Sequence, residues 1–263
     1  MVTAFIGIPI VLACLWSTSP WPLAILLSAA GFLALAELWE LLEFKTSKIL
    51  TLLTAVTILA PVVFATVLTK RDALDLPAFA LPWLAGIGAL TWIWAEKWIP
   101  LKRILGIGYV LGPLIAILAI HSLSWPQSGQ WNLKPPTILA IFPVWAGDTA
   151  GILVGSKFGK RRLWPELSPN KTWEGAIANL VAATLCGWGF SYVTGHSPTV
   201  GLLCGATIGI LGQLGDLFES WLKRNAKRKD SGSLLPGHGG ILDRVDSVLT
   251  TAIPIYAILL AFK

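Results

Sequence analysis

Residues 198–219 read PTVGLLCGATIGILGQLGDLFE, an apolar run of membrane-spanning length with an acid near its end. About 20 apolar residues cross the hydrocarbon core of a bilayer as an α-helix. Spacings of four, four, three and three keep five glycines on nearly one face of that helix: Gly201, Gly205, Gly209, Gly212 and Gly215. Such small residues let a neighbouring membrane helix approach closely. The run therefore predicts a transmembrane helix whose glycine face packs closely against a partner helix. This packing would place Asp216 next to that helix.

The composition of the whole chain indicates a membrane protein. Hydrophobic residues make up 55% of the 263 residues and charged residues only 13%, against about 25% charged residues in an ordinary soluble domain. Too few polar side chains exist to cover a soluble surface, so lipid is the expected solvent for much of the chain. The three cysteines sit singly in apolar runs, so neither a disulfide framework nor a zinc site is predicted.

Nine segments are candidate spans: 2–16, 22–43, 49–69, 77–96, 104–121, 136–155, 174–194, 198–219 and 243–262. The first is interpreted as a span and not as a removable signal peptide, because it has no basic region and no small-residue cleavage site. The predicted fold is all-α, a polytopic integral membrane protein with about nine transmembrane helices. Five helices form an N-terminal region, residues 1–121, and the others a C-terminal region, residues 122–263, which carries the candidate chemistry.

The distribution of Lys and Arg predicts the orientation of the spans. With nine spans, 16 of the 20 basic residues fall on one side of the membrane and 4 on the other. Basic loops are retained in the cytoplasm, so we expect a cytoplasmic N-terminus. The two long polar loops, 156–173 and 221–242, then lie on the cytoplasmic side. Topology and attraction to anionic headgroups explain their basic residues, but not the acids and glycines between them.

Acids inside the predicted spans are candidates for function. Asp148 lies about seven residues from the cytoplasmic end of the sixth span, hence roughly 10 Å deep. An acid at such depth costs about 2.5–3.5 kcal/mol on insertion scales, so it should face protein, water or a cation. Glu37 and Glu40 lie in the second span without any motif around them. For these two, a structural hydrogen bond or a subunit contact is the preferred interpretation over catalysis.

A glycine-rich stretch, PGHGGILDRVD at residues 236–246, leads into the last span. Its glycines let backbone N–H groups approach an anion closely, and Asp243 and Asp246 share one face of the first helical turn. A helix cap explains one of the two acids but not both. Acids that hold Mg²⁺ attract phosphates, and Mg²⁺ prefers one or two carboxylates together with substrate phosphates. The pattern therefore favours metal-assisted phosphate chemistry at the cytoplasmic membrane surface.

At these residues the chain resembles the phosphatidate cytidylyltransferase (CDP-diacylglycerol synthase) family. The family signature, S-x-x-K-R-x4-K-D-x-G-x2-L-P-x-H-G-G-x2-D-R-x-D, is matched without a gap by Ser220, Lys223, Arg224, Lys229, Asp230, Gly232, Leu235, Pro236, His238, Gly239, Gly240, Asp243, Arg244 and Asp246. A second block also resembles the family, with Asp148-Thr149-Ala150, Gly155, Phe158-Gly159-Lys160 and Ser168 to Gly175. It departs from the pattern at Gly151-Ile152, where the family has an Ala-Tyr pair.

The resemblance implies that the phosphate of phosphatidate attacks the α-phosphorus of CTP, giving CDP-diacylglycerol and pyrophosphate. It implies Mg²⁺ held by Asp216, Asp243 and Asp246, with Lys223 as a further catalytic residue. Implied substrate-binding residues are Lys171, Lys223, Arg224, Lys229, Asp230, Arg244, Ser168 and the Gly239-Gly240 turn. Asp148 either orients a base or sugar or binds a second cation, and His238 either binds substrate or is structural. A phosphate nucleophile is already ionised at neutral pH and requires no strong general base.

Two other function classes stay open at this point. A CTP-dependent kinase acting on a polyprenol or another lipid alcohol would share the polytopic fold, but would release CDP. A transporter would also contain intramembrane acids and broken helices, although it would not need its acids and bases gathered at one membrane face. The expected partners are CTP, phosphatidate and the lipid bilayer of a bacterial-type inner or plasma membrane, with no nucleic acid. Tight glycine faces are also compatible with a homodimer.

Overall fold

The computed structural model describes residues 2–17, 19–42, 99–123, 136–232 and 239–262, and side chains are described from residue 7 in the first helix and from residue 105 in the third. Seven helices lie in these ranges: α1 Val2–Trp16, α2 Pro20–Leu41, α3 Ile99–Ser122, α4 Thr137–Phe158, α5 Trp173–Thr194, α6 Pro198–Asn225 and α7 Leu242–Ala261. A two-stranded antiparallel hairpin, β1 Arg162–Trp164 and β2 Ser168–Thr172, stands between α4 and α5.

Six of the described helices, α2 to α7, contain stretches long and apolar enough to cross a membrane. A shorter apolar helical stretch, Gly7–Trp16, belongs to α1. The prediction of an all-α polytopic membrane protein is therefore confirmed. The predicted spans 49–69 and 77–96 lie outside the described residues, so the count of nine spans stays a prediction.

The largest shift of a helix boundary is at the end of α6. This helix was expected to end at residue 219 and continues to Asn225, so the predicted loop 221–242 starts at Ala226. The last turn carries Lys223 and Arg224, and cations there interact favourably with the negative end of the helix dipole. Lys227 follows with φ 55°, a left-handed conformation that commonly terminates helices. The extension places Lys223 inside the helix, at a fixed spacing from Asp216.

The chain divides into two compact units. The first consists of Met1–Leu123 and Asp230–Leu242. In this unit α2 packs on α1 and α3, and Leu35, Leu38 and Trp39 are fully or almost fully buried. Gly106 of α3 lies against the Trp39 ring, where an added Cβ would be 3.0 Å from a ring carbon. The first unit is therefore held by apolar helix packing.

The second unit consists of Ser124–Lys229 and Asp243–Lys263. Here α5 packs on both α4 and α6, and α4 also contacts α6. Gly151 and Gly155 of α4 lie close to Gly175 of α5, with added Cβ atoms 3.3 Å from its carbonyl oxygen and 3.5 Å from its Cα, respectively. The departure from the family pattern at Gly151 therefore occurs at a close helix contact, where a small residue is needed.

The glycine face of α6 packs against two different helices. Cβ atoms added at Gly205 and Gly209 would lie 2.6 and 2.7 Å from the Cα atoms of Thr184 and Leu180 in α5. Further along, Gly212 and Gly215 face α7, where the Ser247 hydroxyl donates a hydrogen bond to the Gly212 carbonyl at 3.4 Å. The predicted close packing is confirmed, and its second half brings α7 next to the turn of α6 that carries Asp216.

Candidate functional site

Three carboxylates of the second unit converge where α6 meets α7. One oxygen each of Asp216, Glu219 and Asp246 lies within 4.8 Å of the other two. Asp216 and Glu219 are three residues apart, which places them on one face of α6, and Asp246 lies in the first turns of α7. Glu219 is completely buried, Asp246 is 8% exposed, and Asp216 is the most accessible of the three. Like charges this close repel unless a cation or a proton compensates them.

Glu219 has one buried carboxylate oxygen that is left without a protein partner in the part of the chain that the structure describes. Its Oε2 accepts a hydrogen bond from Lys223 at 3.3 Å, while its buried Oε1 has no hydrogen-bond partner among the described residues. A buried polar atom left without a partner costs about 1–3 kcal/mol, and more when it is charged. Three carboxylates are hard oxygen ligands of the kind that Mg²⁺ prefers. The residues present therefore fit a bound Mg²⁺.

Lys223 joins this group to Asp243, the first acid of α7. Its Nζ lies 2.5 Å from Asp243 Oδ1 and 3.3 Å from Glu219 Oε2, and the Lys223 and Asp243 side chains are only 11% and 8% exposed. The sequence predicted Asp243 as a metal ligand with Asp216 and Asp246. That ligand set stays a prediction; the structure groups Glu219 with Asp216 and Asp246, and it pairs Asp243 with Lys223. Glu219 was missed because the signature does not include it, although its spacing from Asp216 and Lys223 would have indicated it.

Lys171 approaches the same group from the hairpin. Its Nζ lies 2.5 Å from Asp216 Oδ2, and the Ser220 hydroxyl donates to Asp216 Oδ1 at 3.5 Å. The Lys171 and Asp216 side chains are 24% and 38% exposed, so water partly screens their attraction. Binding of a substrate phosphate by Lys171 stays a prediction.

The hairpin that carries Lys171 is fixed at the start of α5. The Thr172 hydroxyl caps α5 by accepting a hydrogen bond from the Gly175 amide at 3.2 Å. The Glu174 carboxylate accepts from the backbone N–H groups of Lys160 and Arg161 at 3.1 and 3.3 Å. Because both ends of the hairpin are bound to the first turn of α5, the position of Lys171 is set by the fold.

Asp148 of α4 contributes a fourth acid to the electrostatics of the site. It interacts with the charges of Asp216, Lys171 and Arg244, and its Oδ1 accepts a hydrogen bond from Asn179 Nδ2 at 3.2 Å. Asp148 is exposed although it lies within an apolar span. An acid in that position needs polar surroundings, and the neighbouring cluster supplies them.

The other predicted site residues occupy more varied positions. Arg224 is exposed and ties the hairpin to the end of α6, donating to the carbonyls of Leu167 at 3.3 Å and Arg228 at 3.2 Å. Ser168 opens β2, paired with Trp164, while Lys229 and Asp230 are exposed after α6. His238 lies outside the described residues.

The Gly239-Gly240 turn belongs to the first unit and faces a protein carboxylate. Gly239 has φ 77°, which favours glycine, and a Cβ added at Gly240 would lie 2.6 Å from Glu37 Cδ. The backbone N–H groups of Ile241 and Leu242 donate to Glu37 at 2.9 and 2.8 Å. Glu37 therefore makes structural hydrogen bonds, which is one of the two roles expected for it besides catalysis. In this structure the anion beside the turn is Glu37.

Together these features define a polytopic α-helical membrane protein with a cluster of carboxylates on its last two helices, paired with Lys223 of α6 and Lys171 of the hairpin. A model of the cytidylyltransferase family matches residues 1–262. The chain belongs to that family, and the resemblance found in its motifs is confirmed.

Individual relatives agree with the family match. The phosphatidate cytidylyltransferase of Haemophilus influenzae is 32% identical over 289 aligned residues, which cover 98% of this chain and 96% of that protein. Those of Staphylococcus aureus (strain COL) and Bacillus subtilis are 45% and 46% identical over 125 and 122 residues. In the last two comparisons the chain spans about half the length of the relatives, 48% and 45%.

Proposed function

We propose that the protein transfers the CMP moiety of CTP to phosphatidate, giving CDP-diacylglycerol and pyrophosphate. The observation that carries the proposal is the similarity to a phosphatidate cytidylyltransferase over 98% of the chain. It is supported by a group of three carboxylates that is paired with two lysines and fits a divalent cation. In the reaction a phosphatidate oxygen bonds to the α-phosphorus of CTP, and the bond from that phosphorus to the oxygen bridging the α- and β-phosphates breaks.

The proposed Mg²⁺ site is built from Asp216, Glu219 and Asp246. Asp216 and Asp246 are common to the sequence prediction and to the carboxylate group of the structure. Geometry favours Glu219 as the third ligand, since Asp243 is already engaged by Lys223 at 2.5 Å. When bound, Mg²⁺ neutralises charge on the attacking and leaving oxygens of nucleotidyl transfer. Asp243 then has the role of holding Lys223.

The cationic side chains of the site are proposed to bind the two anionic substrates. Lys171 and Lys223 are each paired with one acid of the carboxylate group, and both can attract phosphate oxygens. Arg244 and Asp148 interact electrostatically with each other. The ionised phosphate of phosphatidate needs positioning and charge neutralisation more than it needs a general base.

The proposal includes an active site on the cytoplasmic side, which is supported by the 16 to 4 distribution of basic residues. A homodimer stays a prediction. The glycine face of α6 no longer argues for it, because Gly205 and Gly209 lie against α5 and Gly215 against α7 of the same chain.

Product analysis tests the proposal directly. Purified protein in lipid nanodiscs is incubated with CTP labelled in the cytidine, with phosphatidate and with Mg²⁺. The expected result is label in CDP-diacylglycerol and release of pyrophosphate in equal amounts. Release of CDP with a phosphorylated lipid alcohol would support the kinase instead. Substrate uptake into proteoliposomes without CTP turnover would support the transporter.

A further inference from the structure

Glu37 of α2 binds a segment that lies about 200 residues away in sequence. Its Oε2 accepts hydrogen bonds from the Ser231 hydroxyl at 2.7 Å and from the Leu242 amide at 2.8 Å, and its Oε1 accepts one from the Ile241 amide at 2.9 Å. Glu37 is 8% exposed and Ser231 is fully buried. Hydrogen bonds to a carboxylate are about twice as strong as neutral ones. Glu37 therefore holds both ends of the segment that runs from Ser231 to Leu242.

Two glycines of that segment make room for the Glu37 side chain. A Cβ added at Gly232 would lie 2.6 Å from Glu37 Oε1, and one added at Gly240 would lie 2.6 Å from its Cδ. Both glycines are fixed positions of the signature matched in the sequence. Their small size is required at these points because a carboxylate of the same protein occupies the adjacent space.

The bond to Leu242 has a consequence for the last helix. Leu242 is the first residue of α7, and the N–H groups of a first helical turn have no partner within the helix. A carboxylate at this end satisfies such donors and interacts favourably with the positive end of the helix dipole. Asp243 follows Leu242 directly in the chain, and Asp246 lies one turn later. The position of Leu242 therefore controls the backbone that carries both acids.

We propose that Glu37 is a positioning residue for this reaction. It fixes the start of α7, and through α7 it sets the positions of Asp243 and Asp246, without contacting substrate or metal. We call the three hydrogen bonds from Ser231, Ile241 and Leu242 to Glu37 the clamp. The catalytic consequence of the positioning role rests on the proposed function, whereas the clamp itself does not.

Four variants in the full-length protein test the role. Glu37→Ala removes all three hydrogen bonds, while Glu37→Gln keeps an acceptor but removes the charge. Ser231→Ala removes one donor. Glu40→Gln is the matched control, because Glu40 is an acid one turn along the same helix but is exposed. Two readouts are measured in each variant: hydrogen exchange of the backbone amides of residues 239–246, and the Mg²⁺ concentration that gives half-maximal activity.

Loss of the clamp should loosen the start of α7. In Glu37→Ala we expect the amides of Ile241 and Leu242 to exchange at least about 10-fold faster. The half-saturating Mg²⁺ concentration should rise at least about 5-fold, because the acids of α7 are less well placed. Activity should recover in part at high Mg²⁺, which a general loss of folded protein would not produce. Glu37→Gln and Ser231→Ala should give smaller shifts of about 2- to 5-fold in the same direction, and Glu40→Gln none.

Other results would overturn the role. Unchanged amide exchange in Glu37→Gln and Ser231→Ala would remove the clamp, and these two variants decide the question if Glu37→Ala does not fold. Faster exchange with an unchanged Mg²⁺ requirement would remove the positioning role. Lost activity with unchanged exchange would indicate that Glu37 contacts substrate. If the wild type makes no CDP-diacylglycerol, the proposed function fails, whereas the exchange data still decide whether Glu37 holds the segment.

Discussion

Lys223 Nζ and Asp243 Oδ1 lie 2.5 Å apart and join α6 to the first turn of α7. Both side chains are about nine-tenths buried, and Lys223 also reaches Glu219 at 3.3 Å. Removal of one partner from a buried ion pair leaves the other charge uncompensated, which costs more than the pair itself contributes. A substitution of either residue is therefore expected to destabilise the packing of α6 on α7 as well as to change the charge of the site.

The first prediction concerns that ion pair. Asp243→Asn and Lys223→Ala should each lower kcat/KM at least about 100-fold, and the double variant should be less than additive by about 1–3 kcal/mol. The measurement is a double-mutant cycle on CTP-dependent product formation, normalised to the amount of protein in the membrane. Full additivity would show that the two residues act independently.

Glu219 tests the identity of the third metal ligand. Glu219→Gln should raise the half-saturating Mg²⁺ concentration at least about 10-fold, as Asp246→Asn should, because both carboxylates belong to the group of three. Asp243→Asn should lower kcat with a smaller effect on the Mg²⁺ requirement. Glu166→Gln is the control, since Glu166 is exposed in the hairpin turn. If Asp243→Asn and Asp246→Asn shift the Mg²⁺ requirement and Glu219→Gln does not, the ligand set predicted from the sequence is the correct one.

Lys171 tests the contribution of the hairpin. Lys171→Ala should raise the KM for CTP or phosphatidate about 10-fold or more, because it removes a cation 2.5 Å from Asp216. Arg162→Ala changes an exposed cation of the same hairpin that makes no contact with the carboxylate group, and should leave KM unchanged. Equal effects of the two substitutions would indicate that Lys171 acts only through the general positive charge of the loop.

The close packing of the glycine face of α6 predicts that an alanine substitution there destabilises the protein more than one at an unpacked glycine. Gly205→Ala should destabilise the protein by roughly 1–3 kcal/mol, because the added methyl meets the α5 backbone at 2.6 Å. In Gly189→Ala of α5 the added methyl group would lie in open space, so this substitution should be neutral or slightly stabilising. The thermal midpoints of the two variants in one detergent give the comparison. A Gly205→Ala midpoint equal to that of the wild type would contradict the close approach.

His196, in the turn between α5 and α6, should make the stability of the folded protein depend on pH. Burial lowers the pKa of its imidazole to about 4, from an ordinary value of 6.5. Below about pH 6.5 the unfolded chain binds a proton that the folded chain does not, so stability should fall as the pH drops towards 4. Comparison of thermal midpoints at pH 7 and pH 5 should show a smaller loss in His196→Asn than in the wild type. An equal loss in both would assign the effect to other groups.

Much of the site could be predicted from local sequence. An apolar run with glycines at helical spacing predicted α6, its close packing and the candidate Asp216. Asp148 was found because an acid in an apolar helix needs a partner, and Asp246 was found beside the glycine-rich stretch that leads into the last span. The contact between Lys171 and Asp216 joins two motifs that were identified separately. Only for Asp148 did the physical cost of a membrane-embedded charge make the prediction.

Other features depend on contacts between distant residues. The bonds from Ser231 and Leu242 to Glu37 cross about 200 residues, and no spacing rule indicates them. The short strand Ser168–Thr172 contains a proline and lacks alternation, so it gave no strand signal. The end of α6 was placed too early because its polar residues, Lys223 among them, ended the apolar run but not the helix.

The Mg²⁺-dependent formation of CDP-diacylglycerol by the purified protein, compared with that by Asp246→Asn, tests the central claim most directly. Wild-type protein should convert CTP and phosphatidate into equal amounts of CDP-diacylglycerol and pyrophosphate, and only when Mg²⁺ is present. Asp246→Asn, folded and at equal abundance, should lose this activity at least about 100-fold at low Mg²⁺. Equal activity of the two proteins, or release of CDP in place of pyrophosphate, would contradict the account.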